Sequence, residues 1–243
     1  MSDERAAPDL GYLFKHPRFY AFCRFVTWLF TRLCRAEYRG RENIPLEGPV
    51  IIATNHRSHV DPPFIGSLTS RHLCFVAKSE LHRIPVLGTI IRSVNAMSVR
   101  RGEADLAAVK LASKVLQAGH PVVIFPEGTR SPTTRLLQPE LGLAMLALRT
   151  KAPIVPVAIN GTEKVMSRRL PFPLPRKFTV TAGPPITFPE LYTRKRHTRE
   201  DYEVVVRTVM ERIAEMLGQE FVFEPHRPTD RGGAENRCQP PIS

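Results

Sequence analysis

Paired cysteines are missing from this chain. Cys23, Cys34, Cys74 and Cys238 are scattered without Cys-x-x-Cys spacing, so there is no disulfide framework and no zinc site of paired-thiol type, and the four read as reduced thiols in a cytosolic compartment. Neither a Gly-x-Ser-x-Gly elbow nor a Gly-x4-Gly-Lys-Ser/Thr loop occurs, which removes serine-hydrolase and P-loop chemistry. Aromatic residues make up 8% of the chain and no RNA-binding or helix-turn-helix signature is present, so nucleic acid is not the expected partner. Nothing resembles a secretory leader within residues 1–15, which are polar, mixed in charge and expected to be frayed. No internal repeat divides the sequence.

What is present is positive charge and alternating apolar runs. With 243 residues, 42% of them hydrophobic, the chain has enough apolar material for one sizeable core. The net charge of +12 points to an anionic partner, either an acidic membrane surface or a phosphorylated small molecule. Residues 16–36 combine Phe19, Phe22, Phe25, Trp28, Leu29 and Leu33 with Arg18, Arg24, Arg32 and Arg35. A bilayer-spanning helix needs about 20 nearly charge-free residues, which Arg24 and Arg32 interrupt. The segment is expected to be an amphipathic helix lying in a membrane interface, with a helix packed on the protein's own core as the other reading. From Glu224 onward Pro, Gly, Arg and polar residues dominate, and a disordered tail is expected over 224–243.

Between these ends, over 37–223, strand and helix patterns alternate. Buried strands are expected at Pro49–Ala53, Leu73–Ala77, Met97–Gly102, Pro121–Phe125, Ile154–Ile159 and Phe178–Ala182. Helices are expected at Pro62–Leu68, Ile84–Ile91, Ala104–Ala118, Leu141–Arg149 and Asp201–Leu217, and the Pro- and Arg-rich stretch Lys164–Lys177 reads as a basic loop or lid. The fold class that follows is α/β, a single domain with a mostly parallel or mixed central sheet flanked by helices.

Two loops at the carboxyl edge of that sheet carry the chemistry. The first is Thr54-Asn55-His56-Arg57-Ser58-His59-Val60-Asp61-Pro62. Four residues between His56 and Asp61 allow a tight turn to bring the carboxylate onto the imidazole, fixing its tautomer and steadying the imidazolium during general-base work. The same residues admit two other readings: a turn followed by a helix that starts at Asp61, or a metal set of His56, His59 and Asp61. The second loop is Pro126-Glu127-Gly128-Thr129-Arg130-Ser131. Gly128 lets main-chain N–H groups approach an anion, Thr129 adds a hydroxyl and Arg130 a planar fork, while Arg101 at the end of another strand is placed to close on the same anion. The plainer alternative is a strand-to-turn transition with Glu127 and Arg130 paired on the surface.

Taken in order, Asn55-His56-x4-Asp61, Arg101-Gly102, Phe125 to Ser131 and Ile154-Val155-Pro156-Val157-Ala158-Ile159 resemble the four blocks of the 1-acylglycerol-3-phosphate acyltransferase family, over roughly Arg39 to Gly183. The resemblance implies transfer of a fatty acyl group from acyl-CoA or acyl carrier protein to a lysophospholipid hydroxyl, at the cytoplasmic face of a membrane, with no metal and no bound cofactor. It implies His56 as base and Asp61 as its orienting partner. Asn55 belongs to the first block; Arg101, Glu127, Gly128, Thr129 and Arg130 are associated with the acceptor's phosphate, and Pro156 with the acyl side. One position departs from the pattern: Glu140 stands where many members carry lysine, and an ionised glutamate does not stabilise an oxyanion. Glycerol-3-phosphate or another lysolipid as acceptor, a silent membrane-binding homologue, and a metal-dependent phosphoesterase are the alternatives.

Overall fold

Runs of β-branched residues that are apolar at every position need cover on both faces, and this sets the architecture. In the computed structural model, which describes residues 15–78, 96–99, 104–167 and 172–225, the strands Ile51–Thr54 (β2), Val122–Ile124 (β5) and Ile154–Asn160 (β6) form the centre of a seven-stranded sheet. The others are Glu37–Arg39 (β1), Cys74–Lys78 (β3), Ala96–Val99 (β4) and Thr179–Ala182 (β7), and the strand order is β1-β7-β6-β2-β5-β3-β4. All neighbouring pairs are parallel except β6 with β7. The sheet is therefore the mixed, mostly parallel one expected.

Helices cover both faces. On one side Ala104–Gln117 (α3), Gly142–Thr150 (α4) and Arg199–Leu217 (α7) bury Val115, Leu116, Leu146, Val209 and Ile213 against Ile51, Val122 and Ile154. On the other, Asp61–Gly66 (α2) sets Phe64 and Ile65 over Ile52, Val155 and Val157, and Phe64 stacks on Phe178 at 4.2 Å between ring centroids. Alternate residues of β6 divide between the two cores, Val155, Val157 and Ile159 on one side and Ile154 and Ala158 on the other, as a strand's two-residue period requires.

The N-terminal segment forms a helix, Pro17–Leu33 (α1), lying over α2 with Phe30 stacked on Phe64. Its sidedness is reversed from that of an ordinary covering helix. The inward face is marked by Tyr20, whose hydroxyl accepts the Leu73 N–H at 3.3 Å, and by Arg24, which donates to Ser70 O at 2.9 Å. Phe22, Phe25, Leu29 and Leu33 point away, each more than half exposed.

Several elements differ from expectation. α7 begins at Arg199, two residues ahead of the expected start, because Thr198 and Asp201 form a reciprocal capping box. Part of the basic stretch after Lys164 belongs to a short helix, Thr162–Val165 (α5), entered through Gly161 at φ +93°. A further short helix, Pro189–Tyr192 (α6), was not foreseen. The expected helix at Ile84–Ile91, the turn holding Arg101, and Arg168, Arg169 and Pro171 of the basic stretch lie outside the described residues, as do residues 1–14 and 226–243. Glu224, expected in the tail, donates its N–H to Gln138 Oε1 at 3.1 Å.

Candidate active site

β2 delivers His56 to the carboxyl edge of the sheet, and α2 returns Asp61 to it. Asp61 opens α2 with Pro62 in the first turn, where a carboxylate suits the helix dipole and a missing N–H costs nothing. His56 Nδ1 lies 2.8 Å from Asp61 Oδ2. The same oxygen accepts the main-chain N–H groups of Arg57 and Ser58, both at 2.7 Å. An oxygen receiving two N–H donors is an acceptor, so the imidazole proton sits on Nδ1 and the Nε2 lone pair is left for an incoming hydroxyl. Asp61 is fully buried, while the His56 side chain retains 18% exposure and stacks on Phe125 at 4.2 Å. Both the helix-start reading and the His–Asp pair are thus realised in one geometry.

The second loop is tied to the first through main-chain groups. The His56 N–H donates to Glu127 Oε1 at 2.8 Å, the Leu137 N–H donates to Glu127 Oε2 at 2.9 Å, and the Ser131 N–H donates to His56 O at 2.8 Å. Burial raises the Glu127 carboxyl from 4.5 to about 7, opposed by those backbone donors and by the Arg57 charge. Glu127 was expected among the substrate contacts or paired with Arg130 on the surface; instead it is buried, with both oxygens holding backbone, and shapes the site. Gly128 takes a φ of +64°, which favours glycine, and a Cβ there would stand 3.3 Å from Glu140 Cγ. Thr129 is exposed and Arg130 half-buried, on the same turn. Glu140 is exposed, and its N–H donates to Pro126 O at 2.8 Å.

Two other expected contacts are built into the frame. Asn55 is wholly buried, its Nδ2 donating to Ile159 O at 2.9 Å and its Oδ1 accepting the Ile159 N–H at 2.8 Å. Pro156 lies inside the buried strand β6, in register with Ala53, and its carbonyl accepts the Gly183 N–H at 2.8 Å, so it stands within the sheet and not at its functional edge.

A residue that sequence reasoning passed over is Arg57. It is buried, donating to Asn160 Oδ1 at 2.8 Å and Thr134 O at 2.6 Å, and it links the His56 loop to the end of β6 and the loop after Ser131. Its only signal was its place beside His56. Ser58, whose hydroxyl donates to Met166 O at 2.8 Å, closes the same corner. Among the described residues, no three His, Cys, Asp or Glu side chains gather as a metal site.

A 1-acyl-sn-glycerol-3-phosphate acyltransferase of Pseudomonas aeruginosa is 35% identical over 148 residues, covering 58% of this chain and 56% of that protein. One of Bacillus subtilis is 31% identical over 123 residues, covering 50% and 61% respectively. The chain thus spans little more than half the length of these relatives. The crystal structure of the 1-acyl-sn-glycerophosphate acyltransferase of Thermotoga maritima superposes with a TM-score of 0.62 at 25% identity, covering 87% of this chain and 92% of that one. A family model described as acyltransferase matches residues 35–160, which include β2, the His56 loop, the Glu127 loop and β6, and this chain belongs to the acyltransferase family.

Proposed function

We propose that the protein transfers a fatty acyl group from acyl-CoA or acyl carrier protein to a hydroxyl of a phosphate-bearing lysolipid, foremost the sn-2 hydroxyl of 1-acylglycerol-3-phosphate, yielding phosphatidic acid. The observation that carries this reading is the His56–Asp61 pair, in which one carboxylate oxygen is fixed by two backbone donors and the imidazole at once.

His56 Nε2 removes the proton from the acceptor hydroxyl as its oxygen attacks the thioester carbonyl, and Asp61 steadies the imidazolium. The tetrahedral intermediate collapses with cleavage of the carbon–sulfur bond, and the imidazolium returns the proton to the departing thiolate. No acyl-enzyme is required. Gly128, Thr129 and Arg130 hold the acceptor's phosphate, with Arg101 on the same anion; Asn55, Arg57, Glu127 and Pro156 shape the frame without touching substrate. Among the described residues no helix is long and apolar enough to cross a membrane. The reading has the protein held, peripherally or monotopically, at the cytoplasmic face of an anionic membrane through α1, where the lysolipid acceptor partitions.

Thiol release from a long-chain acyl-CoA, measured with and without 1-acylglycerol-3-phosphate, tests the assignment. Acceptor-dependent release is expected, falling about 10²–10⁴-fold in His56→Ala with the circular-dichroism spectrum unchanged. Release that is independent of acceptor, or a His56→Ala variant at wild-type rate, overturns it.

A further inference from the structure

Away from the His56–Asp61 pair, a cavity of about 530 Å³ lies between α1 and the segment that carries β1, with Arg24, Trp28, Arg32, Tyr38, Arg41 and Ser67 on its walls. A smaller lobe of about 310 Å³ shares Arg24, Arg41 and Ser67. The cleft reaches α2 at its far end: Asp61 is the first residue of that helix and Ser67 its C-cap, so about 9 Å of helix separates the cleft from the His56–Asp61 pair.

Three guanidinium groups on one cavity call for a counter-charge. Arg24 donates to a carbonyl, Arg32 lies over the Trp28 ring at 5.4 Å, and Arg41 lies over the Tyr38 ring at 4.5 Å. Each of these partners is neutral, and among the described residues none of the three arginines is ion-paired with a carboxylate. Guanidinium groups so placed suit the planar, multidentate capture of phosphate oxygens. The cleft also opens beside the outward apolar strip of α1, where Phe25 stacks on Trp28 at 6.0 Å and Leu29 is more than half exposed. A free phosphate would leave that apolar wall in water; an amphiphile covers both.

We propose that this cleft is a non-catalytic binding site for the phosphate headgroup of an anionic membrane phospholipid, whose acyl chains run along the outer face of α1. The proposal rests on the reading that α1 lies on a membrane, and it adds a defined, charge-selective site to that contact.

Trp28, the chain's only tryptophan, lines the cleft and reports on it directly. The full chain is titrated with phosphatidylcholine vesicles, with the same vesicles containing about one-fifth phosphatidylglycerol, and with inorganic phosphate, following Trp28 emission. A blue shift with both vesicles and tighter binding to the anionic ones are expected. Arg32→Gln with Arg41→Gln removes that anionic advantage by about 10-fold or more, while binding to neutral vesicles stays within about twofold. Lys195→Gln with Arg196→Gln takes the same charge from an exposed loop and leaves the advantage intact. Equal losses in the two double variants, showing diffuse attraction, or saturation of the cleft by inorganic phosphate alone, overturn the proposal while leaving α1 on the membrane. Unshifted Trp28 emission with every vesicle removes the membrane reading and the proposal with it.

Discussion

Glu127 holds a carboxylate where only 4% of the residue is exposed, because its two oxygens are needed by two loops at once. The cost is visible in its protonation, raised from 4.5 to about 7 by burial. Between those values the folded protein retains a proton that the unfolded chain has released. Stability therefore falls as pH rises through that window and levels off above about 7, with a total loss of about 3 kcal/mol. Glu127→Gln has no such titration. The difference in unfolding free energy between variant and wild type, followed by urea denaturation from about pH 5 to about pH 7.5, should shift in the variant's favour by up to this amount. A pH-independent difference would mean that the carboxyl titrates normally. Protonation also turns one acceptor into a donor, so acidification loosens either the His56 or the Leu137 tether.

At the scale of elements, β2 is too short for its task and a side chain completes it. Its last ladder pair with β6 is Thr54 with Val157, and one step on, the Asn55 amide takes the place of main chain against Ile159. Asn55→Ala strands a buried N–H and C=O, and a loss of about 2–5 kcal/mol is expected, measured as a lowered thermal midpoint. Asn55→Asp should do no better, since it presents a carboxylate oxygen to Ile159 O; rescue by Asp would mean that only the Oδ1 bond matters. This pair also explains what was legible in the sequence. His56, Asp61 and the Gly128 turn stand close in sequence to the strands that carry them, so their place at the sheet edge was legible from pattern, while spacing alone left several readings of their chemistry open and the roles came from the ordered family blocks. The roles of Asn55, Arg57 and Glu127 depend on β6 lying beside β2 and on the loop after Ser131 folding back, which are crossover contacts between residues 10 to 104 apart. The family resemblance placed Asn55 and Glu127 among the substrate ligands, and the tertiary contacts show their side chains engaged with backbone. Pro156 took its expected role from the same resemblance, and its place inside β6, in register with Ala53, depends on β6 pairing with β2, which the block itself does not reveal. The capping box at Thr198 was present in the sequence, but the apolar period of α7 drew its start to Asp201.

For the molecule as a whole, the reversed sidedness of α1 and the position of the His–Asp pair are one arrangement. α1 rests on α2 through Phe30 and Phe64, and α2 begins at Asp61, so the exposed apolar face and the His56–Asp61 edge are held at a fixed offset by a single short helix. A monomeric protein seldom leaves so many large apolar side chains in water on one helix unless something covers them. Burial of each phenylalanine or leucine contributes about 1.5–3 kcal/mol when complete. Replacing Phe22, Phe25 and Leu29 together by Ser should therefore weaken partitioning onto phosphatidylcholine vesicles by about 100-fold or more, with folding stability changed by no more than about 1 kcal/mol, since none of the three is buried in the fold. With a water-soluble, short-chain lysolipid as acceptor the same variant should turn over at the wild-type rate, because nothing in the His56–Asp61 geometry depends on these side chains. With acceptor embedded in vesicles its rate should fall in step with partitioning. If both rates fall together, α1 supports the catalytic fold and its outer face is covered by something other than lipid.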